Sequence, residues 1–166
     1  YYHPSNARVT LYGNLDLETA FAQLTEYFDA FEAKDYEFES VEQTPFSERH
    51  ELEAKFSISK DEPTENKSLL AYIWAAGKGT NSEELIALGV LDELLLGSNT
   101  APIKKALLKS GLGSDVSGGF GAATYSPIFE IVLKDTNPEA KDQFVSIIEN
   151  ELKRLVAEGI PQKAIQ

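Results

Sequence analysis

The stretch Ser68-Leu69-Leu70-Ala71-Tyr72-Ile73-Trp74-Ala75-Ala76, followed within a few residues by Thr80-Asn81-Ser82-Glu83, decides the class of fold. The first run is apolar on both faces and of strand length, so it reads as a central strand of a sheet with Trp74 as a core anchor. The second is a capping box, in which a threonine side chain closes on the backbone three residues ahead while Glu83 reaches back. The helix it opens runs to about Leu96, where Gly97 stops it. Leu85, Ile86, Leu88, Val90, Leu91, Leu94, Leu95 and Leu96 leave that helix only a narrow polar edge, so it is expected between layers or beneath another domain.

Toward the C-terminus, a second helix is expected from about Ala101 to Lys109, starting at Thr100 and ending at Gly111. Phe129, Ile131 and Leu133 form one face of a further strand. Asn137-Pro138-Glu139 opens a last helix with the stripe Phe144, Ile147, Ile148, Leu152, Leu155 and Val156, followed by Gly159 and Pro161.

Toward the N-terminus, Leu52, Ala54, Phe56 and Ile58 alternate with polar residues, the pattern of a half-exposed strand. From Lys34 to Glu51 neither period holds, and the acidic, Pro45-containing segment reads as a linker whose length marks a domain boundary. Before it, Val9 and Leu11 predict a short strand closed by Gly13-Asn14, and Asp16 caps a helix through about Ala33. The stripe of that helix is Leu17, Ala20, Phe21, Leu24, Phe28 and Phe31. Strands that follow one another without a helix between them argue against a purely parallel sheet. The expected class is α/β of the α+β kind, with a mixed, largely antiparallel sheet and helices packed on one face.

The 166 residues are 42% hydrophobic, enough for a core, and carry a formal net charge of -12. That charge repels nucleic acid and anionic membrane, so neither is an expected partner. It keeps the chain soluble in the ordinary reading and attracts basic ligands in the sharper one. With no cysteine, a disulfide framework, a thiolate metal site and a cysteine nucleophile are all excluded, which fits a cytoplasmic setting. No apolar run is long enough to span a bilayer as a helix. The chain contains no methionine and opens directly on Tyr1-Tyr2-His3-Pro4, as expected of a piece of a larger protein.

The two histidines, His3 and His50, each lack a second histidine at helical spacing, and Glu53 and Ala54 stand where a partner for His50 would fall. There is no Gly-x-Ser-x-Gly elbow. Among 27 acidic residues no single carboxylate pair is informative, so no catalytic or metal-binding residue is assigned. Gly111-Leu112-Gly113-Ser114-Asp115-Val116-Ser117-Gly118-Gly119-Phe120-Gly121 has five glycines and invites a phosphate-cradle reading. Its spacing matches neither dinucleotide nor Walker patterns, and a strand-to-strand turn is the preferred reading.

Several of these segments carry a resemblance. They are the turn Tyr2-His3-Pro4-Ser5-Asn6, Gly13-Asn14-Leu15-Asp16 entering a helix, Glu62 to Asn66, the strand through Trp74, Val90 to Gly97, Ala101 to Leu107 and Gly111 to Gly118. In order and spacing, over nearly the whole chain, they resemble the insulinase (pitrilysin-like) zinc metallopeptidases, and their presequence-protease-like branch in particular.

The resemblance implies a partial pitrilysin-type repeat unit. Residues 1–34 would be the C-terminal strand and helix of a preceding catalytic domain, 35–50 an interdomain linker, and 51–166 the first part of a second, non-catalytic domain. The zinc ligands and general base of such enzymes lie in a His-x-x-Glu-His motif with a downstream Glu, which this chain lacks. No cofactor is therefore expected here, and zinc is expected in the parent protein. The segment would be scaffold and chamber wall of an endopeptidase that degrades peptides in an enclosed chamber. Its partners would be the remaining domains of the same polypeptide and the peptide substrates.

Asp115, Ser117 and Phe120 would be the chamber contacts. The run Gly119-Phe120-Gly121-Ala122-Ala123-Thr124 departs from the family pattern. The rival readings are a non-peptidase subunit and an acidic interaction domain on the same fold, and self-association through exposed strand edges or apolar helix faces is expected.

Overall fold

The computed structural model describes residues 2–35, 43, 44 and 46–160; most of the segment read as a linker, and Pro161, lie outside these. The chain divides into two units, Tyr1–Ser40 and Val41–Gln166.

In the first unit, a short 3-10 turn at Pro4–Asn6 precedes helix α1, Leu17–Phe28. Asp16 is its N-cap, accepting from Glu18 N at 3.1 Å and from Thr19 Oγ1 at 2.6 Å. The Thr19 hydroxyl is the main cause that holds the Asp16 carboxyl below its ordinary value. The helix stops at Phe28, short of the expected Ala33. Asp29 sits at its C-cap and no basic residue lies in the last turn, so the negative end of the helix dipole meets another negative charge. The strand expected around Val9 and Leu11 is absent. A strand needs a neighbour to satisfy its backbone groups, and among the described residues this unit has no other.

In the second unit the elements are β1 (Ser68–Ala75), α2 (Ser82–Leu96), α3 (Pro102–Ser110), β2 (Asp115–Gly121), β3 (Ile128–Thr136) and α4 (Lys141–Glu158). The three strands form one sheet in the order β1-β3-β2, and both pairings are antiparallel. The core-facing rows are Leu70-Leu133-Val116, Tyr72-Ile131-Gly118 and Trp74-Phe129-Phe120. Against that face lie Leu95 and Leu96 of α2, Ile103 and Leu107 of α3, and Phe144, Ile148 and Leu155 of α4. The other face carries Leu69, Ile73 and Ile128, all exposed. This is the expected α+β arrangement with helices on one face, and the sheet is wholly antiparallel.

Four expectations need correction. β1 is an edge strand with alternating burial, because β3 takes the central place and pairs on both sides. Residues 52–58 form no strand; Leu52 and Phe56 stand exposed, and no ladder partner reaches them. The capping box is shifted by one residue, Asn81 accepting from Glu84 N at 3.3 Å. The glycine-rich run is more than a turn. Gly111 ends α3 in the left-handed conformation, and Asp115–Gly121 is itself the strand β2.

The approach to β1 is pinned to the start of α4 and to the turn before it. Asn66 N donates to Asn137 Oδ1 at 2.8 Å, and Lys141 Nζ reaches Glu51 Oε2 at 2.8 Å. Thr136, at the end of β3, is fully buried and its hydroxyl oxygen has no partner among the described residues.

Candidate functional site

Among the described residues β2 pairs with β3 on one side only, and glycine keeps it narrow. A Cβ at Gly118 would lie 2.2 Å from the carbonyl oxygen of Glu130, and the φ of +133° there strains any L side chain. At Gly119, φ +144°, a Cβ would lie 2.7 Å from Asp92 Oδ2. These two positions need glycine for different reasons. The first lets two backbones approach, and the second lets a carboxylate approach the backbone.

That carboxylate comes from α2. Phe120 N donates to Asp92 Oδ2 at 3.0 Å, so at Phe120 the strand turns its amide away from β3 and toward the helix. Around this contact lies an open recess of about 230 Å³, lined by Asp92, Gly118, Gly119, Phe120, Gly121, Ile128 and Glu130. It offers two acidic residues, the side-chain-free backbone of Gly118 and Gly119, and the apolar Ile128. Such a surface suits an extended, positively charged chain.

The residues expected as contacts are distributed unevenly about it. Phe120 contributes its backbone to the recess while its ring packs on the core. Asp115 lies at the far end of β2, paired with Lys134 Nζ at 3.2 Å. The hydrogen bond from Lys134 holds its carboxyl below the ordinary value. Ser117 faces Val132 on the helix-free side of the sheet and does not line the recess.

Asp92, Ile128 and Glu130 were missed. Asp92 left a signal in the sequence, as a charged residue inside Gly89-Val90-Leu91-Asp92-Glu93-Leu94-Leu95-Leu96, where the helix is otherwise apolar nearly all round. A charge retained on such a surface needs a partner.

Among the described residues, no group of three or more His, Cys, Asp or Glu side chains is placed to hold a metal ion. His3 accepts from Ser5 N at 3.2 Å, and its ring meets Phe31 edge-on. His50 packs on Phe46 in the other unit. The described residues therefore offer no ligand set for a zinc ion. No described helix is long and apolar enough to cross a membrane.

Comparison with known proteins places the chain in a family. The chain matches the family described as peptidase M16 inactive domain over residues 1–166. It is 35% identical over its whole length to Protein HypA of Clostridium perfringens and covers 17% of that protein. It is 36% identical over its whole length to presequence protease 1, chloroplastic/mitochondrial, of Arabidopsis thaliana, covering 16% of it. It thus spans about a sixth of the length of these curated relatives. An inactive peptidase domain from Bordetella parapertussis superposes with a TM-score of 0.49 at 15% identity, over 58% of this chain and 52% of that one.

Proposed function

Because the chain belongs to the peptidase M16 inactive-domain family, we propose that it is non-catalytic scaffold of a zinc-dependent endopeptidase, walling an enclosed chamber and guiding peptides along the edge of β2. On this reading residues 1–34 close a preceding catalytic domain, 35–50 link, and 51–166 begin the non-catalytic domain. The zinc, its ligands and the general base belong to polypeptide outside these residues. The partners are the other domains of the same chain and the peptides it degrades. A reducing compartment, the cytoplasm in the simplest case, suits a chain without cysteine.

The observation that carries the reading is the glycine edge of β2, where Gly118 and Gly119 bring no side chains of their own and Asp92 and Glu130 lie beside them. An extended peptide adds to such an edge through main-chain hydrogen bonds, which makes capture tolerant of sequence. The net charge of -12 draws cationic peptides toward it. Both features suit holding a substrate, and neither supplies a nucleophile.

The test is direct. The 166-residue chain, dialysed after loading with zinc, is expected to retain no stoichiometric metal and to leave a fluorogenic peptide uncut, while binding a lysine-rich peptide with an affinity that falls as salt rises. Stoichiometric zinc with hydrolysis would overturn the scaffold role. Affinity unchanged across the salt series would overturn the electrostatic part.

A further inference from the structure

The contact between Asp92 and the Phe120 amide carries an inference about how the β2 edge chooses its peptide, and it rests on the strand-addition reading above. An added strand needs the outward-facing N–H groups of β2 as donors. One of them, Phe120 N, is already occupied by Asp92 Oδ2 at 3.0 Å. A carboxylate is a stronger acceptor for an amide than the neutral carbonyl of a peptide. A peptide carbonyl arriving at Phe120 therefore cannot displace Asp92 on hydrogen bonding alone. The exchange becomes favourable when the peptide also brings a cation that takes up the displaced carboxylate.

We propose that Asp92 is the specificity-determining residue of the β2 edge, a cap on Phe120 N that yields to strands carrying a lysine or arginine beside the paired carbonyl and resists neutral ones. The recess has the means for this. Glu130 also lines it, so a cationic side chain entering it comes among two acidic residues. Gly119 leaves room for Asp92 to approach, since a Cβ there would collide with it. The same cap protects the free edge from pairing indiscriminately with other strands, the hazard of any exposed edge. Edge protection and selectivity are then one device.

The test compares three peptides on the chain at high salt, where long-range attraction to the net charge is screened. They are an alternating lysine–valine peptide, the same peptide with glutamine for lysine, and the lysine peptide N-methylated at alternate amides. Wild type is expected to prefer lysine over glutamine by about tenfold, the scale of one charge-assisted hydrogen bond, and to lose the methylated peptide. Asp92→Asn keeps the shape and a neutral acceptor, and is expected to reduce the preference to about twofold or less by raising affinity for the glutamine peptide. Asp92→Ala is expected to do the same and to speed hydrogen exchange at the Phe120 amide. Asp61→Asn, which removes an equal charge elsewhere on the surface, is expected to leave the preference intact.

If the methylated peptide binds as well as its parent, strand addition fails and the proposal falls with it. If methylation matters but Asp92→Asn keeps the wild-type preference, the edge reading stands and the cap is overturned. A lower melting temperature in Asp92→Ala with no change in peptide affinity would likewise reduce Asp92 to a latch between α2 and β2.

Discussion

The Tyr72 hydroxyl donates to Glu149 Oε1 at 3.2 Å, joining the core face of β1 to α4. The same carboxylate oxygen lies 3.9 Å from Arg49 Nη1, at the entry to this unit. One glutamate thus holds strand, helix and entering chain together. Tyr72→Phe keeps the ring contact with Trp74, whose centroid is 4.2 Å away, and removes only the hydrogen bond. It is expected to cost about 0.5–1.5 kcal/mol in urea unfolding. Glu149→Gln should cost less, because the amide oxygen still accepts from Tyr72.

Gly118→Ala is the severe surface substitution of this chain. The added Cβ would lie 2.2 Å from the carbonyl oxygen of Glu130, a backbone atom that cannot swing aside, at a φ of +133°. Strain at such positions costs about 1–3 kcal/mol, and the steric overlap adds to it. The expected readout is a lowered melting temperature with loss of exchange protection across β2 and β3. Gly89→Ala, where a Cβ meets nothing within 4 Å, is the control and is expected to be neutral or slightly stabilising.

Thr136→Val should show the opposite sign from most core changes. The Thr136 side chain is fully buried and its oxygen unpartnered, so the wild type bears a desolvation cost that a methyl group removes. An increase of about 1 kcal/mol in unfolding free energy is expected, with no change in the denaturant slope. A loss of stability would mean that a water serves the hydroxyl.

How legible all this was depends on whether side chains or backbone decided each element. α3 and α4 were readable because Ile103 and Leu107, or Phe144, Ile148 and Leu155, recur on one face and bury there. β2 was hidden. Its glycines have little strand propensity and no alternation, and it is a strand because β3 provides a partner, a long-range fact. Both faces of β1 are apolar, the mark of a central strand, yet pairing order rather than composition sets which strand is an edge. The recess followed the same logic. Phe120 was anticipated within the glycine run, but Asp92 comes from 28 residues away and is brought in only by the packing of α2 on β2.

In the second unit, the acid limb of stability follows from three exposed carboxylates, beside the Asp16 cap of the first. Glu51, Glu62 and Asp115 are held below their ordinary values, each chiefly by a hydrogen bond from Lys141, Lys67 and Lys134 respectively. A depressed folded value means stabilisation that is present above the ordinary carboxylate range and is lost as pH falls through the lowered value. Lys67 and Lys141 are raised, so their share is present below the ordinary lysine value and is lost as pH climbs through the raised one. The urea midpoint is therefore expected to be flat from about pH 5 to about pH 9 and to fall outside that window. Because the pairs are exposed, the fall should be shallow, and 1 M salt should flatten it further.

Ile73→Lys tests what the helix-free face of the sheet does when nothing covers it. Ile73 is 53% exposed on β1 and Leu69 is 55% exposed, so the edge strand presents apolar groups beside its unpaired backbone. Such an edge is a template for pairing with another copy. A lysine at this position stands directly across from Glu130 in the register, where opposite charges contribute about 0.2–1 kcal/mol, which offsets the loss of a β-branched residue. Folding stability should change by less than about 0.5 kcal/mol. Self-association, followed by sedimentation across a concentration series, should fall sharply. If the variant associates as wild type does, the contact runs through another surface, and the exposed Ile86 and Val90 of α2 become the next positions to charge.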